Sequence, residues 1–273
     1  LKSKELFPGV FSRHALEYQR RLEEIMERGE ALGRLRVIEL VDAQPGMRLL
    51  DLACGPGTLS RRLARQVSPG GEVVGVDLAL GMIELARAAN TPNARFDVMD
   101  IERLLLADAS FDAALCGHGF QFAPRLGVAL HEARRVLRSG ARFAASVPVE
   151  TTRDSVWSLL DAVVDHWLGP APQAVDQKPT REAIADVGRF EQAALEAGFA
   201  SANVEVIDER VKWASADQFL SQLASWWFCA VRMEGIEDER RQGFIEEATK
   251  TVRRAHPGGF ETTGRNHVLF ATA

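Results

Sequence analysis

The stretch Asp51-Leu52-Ala53-Cys54-Gly55-Pro56-Gly57-Thr58 decides the reading of this chain. With Arg48-Leu49-Leu50 before it, it reads as a short buried strand, Arg48 to Ala53, that runs into a glycine turn and opens a helix from Thr58 to Val67. Glycines in such a turn let a ligand approach the backbone, and the first turn of the helix offers free N–H groups. A dinucleotide fingerprint, G-x-G-x-x-G, requires a third small residue for close helix packing, and Ser60 stands in that place after Gly55 and Gly57. Asp51 lies four residues before Gly55. A carboxylate there would repel a pyrophosphate and suits a ligand with an amine and no phosphate.

Outward from this turn, strand and helix alternate. Glu72 to Asp77 reads as the second strand and Met82 to Ala89 as a helix. Ala94 to Met99 and Ala113 to Cys116 follow as strands, then a helix from Leu126 to Leu137 and a fifth strand from Ala141 to Val147. That alternation predicts a parallel sheet. Residues 12–42 place Leu16, Leu22, Ile25, Met26, Leu32, Leu35 and Ile38 at helical steps, one amphipathic helix or two. Beyond residue 150 the pattern changes. Residues 153–185 read as an apolar helix carrying Trp157 and Trp167 and then a Pro-containing loop from Gly169 to Pro179. Glu191 to Ala197 with Val204 and Val206 forms a helix and strand, 215–256 is helical, and His267 to Thr272 closes the chain as a strand.

The chain has 273 residues, 46% hydrophobic and 26% charged, with 22 Gly, 11 Pro and 3 Cys, which excludes a disordered, collagenous or disulfide-framework protein. The formal net charge of −5 argues against nucleic acid as the partner. Arg61, Arg62 and Arg65 read as a solvated helix face. Cys54, Cys116 and Cys229 form no C-x-x-C pair, and no histidines show H-x-x-x-H spacing, so no metal site is expected. No apolar run reaches the roughly 18–20 residues of a membrane span, no signal-peptide pattern opens the sequence, and a cytoplasmic location is expected. All five Trp lie in the second half, while Tyr18 is the only Tyr.

Asp77 ends the second strand twenty residues after Gly57, where an acid can accept from both ribose hydroxyls. Asp100 follows the third strand, where a carboxylate can accept from an adenine amine. Asp51, Asp77 and Asp100 at the ends of successive strands thus describe one crevice for adenosine with a cationic tail.

With these pieces in place, the chain resembles the class I S-adenosylmethionine-dependent methyltransferases, in the small-molecule branch that includes the quinone-biosynthesis C-methyltransferases. The resemblance rests on LLDLACGPG at 49–57, VVGVDLALGMIELAR at 73–87, VMDIERL at 98–104, DASFDAALCG at 108–117 and ARRVLRSGARF at 133–143. It implies an α/β fold: a doubly wound, Rossmann-like, seven-stranded, mostly parallel sheet with an antiparallel last strand and a helical lid. It implies S-adenosyl-L-methionine as cofactor. Ala53, Gly55 and Gly57 then fall in the loop at the methionine portion, with Asp51 at its base. Asp77 falls at the ribose, Asp100 and the Ile101 N–H at the adenine, Leu78 and Met82 against the nucleoside, and Tyr18 near the cofactor's carboxylate. Ala53 stands where many members have Gly. Cys116 closes the fourth strand beside the cofactor.

The sulfonium makes the methyl group electrophilic, so the protein's expected task is to align an acceptor and exclude water. His118, after the fourth strand, is the candidate base or substrate contact, and His14 is the second. Phe120, Gln121, Trp226 and Trp227 are expected at the acceptor. Residues 1–46 read as a helical cap, 47–150 as the cofactor-binding core, and 151–273 as the rest of the sheet with the lid, all one domain. The expected reaction is methylation of a small hydrophobic or aromatic metabolite. The rivals are a cofactor-binding protein turned to non-methylating chemistry and an NAD-dependent oxidoreductase, which must explain the missing third glycine.

Overall fold

A computed structural model of the chain describes residues 2–149 and 156–273; the start of the helix expected from 153 lies outside the described residues. The strands are β1 (Arg48–Leu52), β2 (Glu72–Asp77), β3 (Ala94–Val98), β4 (Phe111–Gly117), β5 (Leu137–Val149), β6 (Ser201–Trp213) and β7 (Phe260–Thr272). They form one seven-stranded sheet in the order β3-β2-β1-β4-β5-β7-β6. β7 runs antiparallel to both neighbours and the remaining pairs are parallel.

Burial on both faces explains why the central strands read as apolar runs. On one face Leu50, Leu52, Val74 and Val76 pack under α6 (Leu126–Val136) and α9 (Val187–Glu196). On the other, Leu49, Val73 and Leu115 pack under α2 (Ala15–Glu27), α3 (Leu32–Val41) and α4 (Thr58–Gln66). The strand order reverses between β1 and β4, which leaves a crevice at their carboxyl ends.

Several elements differ from the sequence reading. An extra helix, α1 (Ser3–Arg13), precedes the expected ones. α5 (Leu80–Ala88) starts two residues early. α8 (Lys178–Ala185) occupies part of the expected loop region, with Pro179 in its first turn, where a missing N–H is tolerated. β6 and β7 pair over their full length, well beyond the apolar core, because Arg265 pairs with Asp208 and Arg210 with Glu261 across them. Arg61 and Arg62 do not form a free face: Arg61 pairs with Glu23, and Arg62 donates to the Met26 carbonyl.

The lid consists of α7 (Val156–Leu168), α10 (Ala216–Ser221), α11 (Trp227–Met233) and α12 (Asp238–Ala255). α7, α10 and α12 have their own core around Phe219, Phe244 and Trp213. No helix among the described residues is long and apolar enough to cross a membrane.

Asp51 is 1% exposed on β1 and accepts a 2.5 Å hydrogen bond from Ser60 Oγ on α4. Burial, aided by the nearby Asp77 charge and opposed by the Ser60 bond, pushes its carboxyl from 3.8 up to about 7. The folded chain therefore holds this proton more tightly than the unfolded one, so the stability from the neutral form is full below about pH 4 and is lost as pH rises to 7. Asp51→Asn keeps an acceptor for Ser60 and is expected to flatten this decline. It should add on the order of 2 kcal/mol at pH 8, checked by urea denaturation across pH.

Gly75 in β2 has a packing reason: a Cβ there would lie 2.6 Å from the Phe96 ring and 2.9 Å from Cys54 Sγ. Gly75→Ala is expected to cost about 1–3 kcal/mol, and adding Phe96→Leu to recover part of it, in the same denaturation assay.

Candidate functional site

The crevice opens into a cavity of about 1340 Å³ that reaches from the ends of β1–β4 to the lid. Its floor is the β1–α4 turn, built from left-handed backbone at Ala53 (φ 52°), Gly55 (φ 54°) and Gly57 (φ 76°). Ala53 holds this conformation at a steric cost that a glycine would avoid. A Cβ on Gly55 would stand 3.8 Å from the Tyr18 ring and 4.0 Å from Met82 Sδ, so the turn, Tyr18 and Met82 face one another across open space.

Asp77 is fixed by two backbone donors, Gly55 N to Oδ2 at 2.9 Å and Ala79 N to Oδ1 at 2.8 Å. Burial raises its carboxyl above the usual range against these bonds. Leu78, Asp100 and Ile101 continue the same wall. Asp100 Oδ2 accepts from Lys4 Nζ at 2.6 Å, and the same ammonium reaches Glu102 Oε2 at 2.7 Å, which ties α1 over this end of the cavity. Ile101, Met99 and Ala123 supply apolar surface beside Asp100.

At the other end lie Phe122, Trp226 and Trp227, with Phe7 of α1 packed edge-on against Trp227 at 5.0 Å. His118 and Gln121 face the cavity. His118 has φ 65°, its backbone N–H donates to the Ser146 carbonyl, and its buried ring lies beside Asn266. Burial first, then the positive charges of Arg34 and Arg21, hold its imidazole well below the usual range. It is therefore neutral at pH 7.

Of the residues singled out from sequence, the cavity gathers Tyr18, Ala53, Gly55, Asp77, Leu78 and Met82. It also gathers Asp100, Ile101, His118, Gln121, Trp226 and Trp227. It does not gather Asp51, Gly57, Cys116, Phe120 or His14. Asp51 points back at Ser60. Gly57 turns toward Phe96, which a Cβ there would meet at 2.9 Å. Cys116 and Phe120 are fully buried in the sheet core. His14 lies 2.9 Å from Glu234, which also takes both guanidinium bonds of Arg13.

The sequence reading passed over a group of polar side chains in the same cavity. Arg34, only 5% exposed, donates to the Tyr18 hydroxyl at 3.2 Å and leaves its Nε unpartnered. Arg21 lies with its guanidinium 4.6 Å from the Trp226 ring centre. His267 donates from Nδ1 to the Ile184 carbonyl at 2.8 Å. The helical spacing of α2 and α3 placed these arginines on no apolar stripe, so only the fold brings them inward.

Residues with a carboxylate at two strand ends, an open left-handed turn and an apolar slot between them fit a nucleoside carrying an amino-acid tail. Comparison with known proteins agrees. Residues 49–140 match the family described as methyltransferase domain. The chain is 29% identical over 256 residues to the nocamycin O-methyltransferase of Saccharothrix syringae, covering 87% of this chain and 88% of that protein. It is 29% identical over 171 residues to the 2-phytyl-1,4-naphtoquinone methyltransferase of Synechococcus elongatus, covering 61% and 73%. A third relative, an uncharacterized 37.1 kDa protein of a Streptomyces fradiae transposon, is 36% identical over 67% of this chain, and the chain spans about half of it, 52%. Among solved structures, phosphoethanolamine N-methyltransferase 2 of Haemonchus contortus, in complex with S-adenosyl-L-methionine, shares the fold at a TM-score of 0.52 and 16% identity, covering 88% of this chain and 51% of that one. Residues 49–140 thus match a methyltransferase domain, and the sheet around them shares the fold of a solved methyltransferase.

Proposed function

We propose that the protein methylates a small, largely apolar metabolite of quinone-precursor or natural-product type, using S-adenosyl-L-methionine. The observation that carries this reading is the single cavity that joins the Asp77–Gly55 floor to the aromatic wall of Trp226 and Trp227. The relatives named for a phytyl naphthoquinone and for nocamycin support an acceptor of this size and character.

When bound, the cofactor supplies a methyl carbon made electrophilic by its sulfonium. The chain's own residues bind, orient and enclose. Asp77, its oxygens preset by Gly55 and Ala79, takes the ribose hydroxyls, and Asp100 with the Ile101 N–H takes the adenine edge. Leu78 and Met82 pack on the nucleoside. Tyr18 with Arg34 receives the carboxylate beside the Gly55 turn, where a charge-assisted hydrogen bond is strongest. Asp51, withdrawn toward Ser60, acts through the turn it stiffens and not by direct contact. α1, held by Lys4 at one end and by Arg13 and Glu234 at the other, covers the cavity and keeps water from the methyl. His118 contacts the acceptor as a neutral hydrogen-bonding group.

Calorimetric titration with S-adenosyl-L-methionine tests the cofactor site. Asp77→Ala is expected to weaken binding by about tenfold or more and Asp77→Asn by less, the size of one or two charge-assisted hydrogen bonds. Absence of binding to the parent chain, or binding indifferent to Asp77→Ala, overturns the reading.

His118 is tested by release of S-adenosylhomocysteine on an accepted substrate. His118→Asn is expected to lower kcat/KM about tenfold with cofactor affinity unchanged. A loss of about a thousandfold would make it a proton acceptor instead.

A further inference from the structure

Arg21 projects from α2 into the cavity, its guanidinium 4.6 Å from the ring centre of Trp226 and 5.9 Å from that of Tyr18. Its Nε is sealed from solvent without a hydrogen-bond partner, and among the described residues no carboxylate forms an ion pair with it. Burial is the main influence on it and lowers its pKa to about 10, so it stays charged at pH 7. Glu209, on the same cavity, exerts a favourable charge on Arg21 from beyond ion-pair distance and accepts from Gly33 N at 3.3 Å.

Arg21 is half-buried, and a partly desolvated cation left unpaired is costly. Arg34 shares the cavity and repels it, and Gln121 Oε1 is also buried and unpartnered. The methyl donor brings one carboxylate against an ammonium and a sulfonium, a net positive charge. Its single carboxylate, taken at Tyr18 and Arg34, leaves Arg21 uncompensated. A guanidinium lying against an indole is held as a flat fork whose N–H edge suits a planar anionic oxygen group. The same cavity offers apolar lining from Ile25, Val211, Trp226 and Phe228.

Resting on the methyl-transfer reading above, we propose that Arg21, backed by Trp226, is the docking point for an anionic oxygen group of the acceptor, so that the substrate is an acidic and otherwise apolar molecule. The group is a carboxylate or an ionised enol or phenol, and Arg21 determines specificity by anchoring it.

The test uses the full chain saturated with S-adenosylhomocysteine and calorimetry with paired probes: 2-naphthoate against 2-naphthamide, and 2-hydroxy-1,4-naphthoquinone against 1,4-naphthoquinone. In at least one pair the anionic probe is expected to bind about tenfold or more tightly than its neutral partner, the size of one charge-assisted hydrogen bond. The pair that shows it tells carboxylate from enolate. Arg21→Gln is expected to reduce that preference to about twofold or less and Arg21→Lys to keep part of it. Affinity for S-adenosylhomocysteine should change by no more than about threefold in either variant, with melting temperatures near the parent's. No preference for the anion in either pair, or a preference that survives Arg21→Gln, overturns the proposal. A tenfold loss of S-adenosylhomocysteine affinity in Arg21→Gln also overturns it, by assigning Arg21 to the cofactor's carboxylate. Failure of the parent chain to bind S-adenosylhomocysteine brings down the methyl-transfer reading itself, and this proposal with it.

Discussion

The bond from the Gly55 amide to the Asp77 carboxylate, 2.9 Å long, is the constraint on which the site depends. It joins the loop leaving β1 to the end of β2, so the glycine turn and the acid cannot move independently. β1 is buried on both faces and its exit must reverse at once, and the left-handed residues from Ala53 to Gly57 make that reversal. The same reversal points Gly55 N at Asp77 and leaves open space in front of both. Cys54 N, bonded to the Val76 carbonyl at 3.0 Å, fixes the approach from the other side. A fold-level requirement, to end a central parallel strand, and a binding requirement, to present an oriented carboxylate, are met by one piece of backbone.

The cover over this floor is built from different interactions. α1 is fastened by ion pairs at Lys4 and Arg13 and by the Ser3–Asp176 hydrogen bond, while its middle packs Phe7 and Val10 against α11 and the cavity mouth. The exposed Arg13–Glu234 pair contributes little, about 0–1 kcal/mol, and only the Lys4 bond to the buried Glu102 lies deeper. The floor, by contrast, is embedded in the largest core cluster. Stability is therefore graded across the cleft, firm where the nucleoside rests and weaker where molecules enter, as access requires.

How much of this was legible in the sequence follows from the same contrast. β1, β2 and β4 and the turn could be read because double-sided burial leaves apolar runs beside glycines. The outer halves of β6 and β7 could not, since their cohesion comes from cross-strand pairs such as Arg265–Asp208, and charged alternation resembles a solvated segment. α1 was missed because Pro8 interrupts its pattern. At the site, Asp77 stood out by its distance from the glycines and Asp100 by its place after the third strand, whereas Asp51, also read as a strand-end acid, turns away to Ser60 because it sits within the strand. Arg21 and Arg34 carried no signal at all: a helical arginine reads as a wet face until the sheet edge and Trp226 are folded over it.

Those two arginines change what the chemistry near the methyl group demands. Added to burial, which is the larger effect, they weaken the hold of His118 on a proton and make it a poor base for a neutral hydroxyl. The same positive field favours any acceptor group that has already lost its proton, lowering that group's pKa as it lowers the histidine's. The need for a base and the means of supplying one therefore decline together. A neutral acceptor would leave the Arg21 cation uncompensated beside a reluctant histidine. An acidic one would bring the missing charge and arrive already activated, leaving the chain to orient and enclose it.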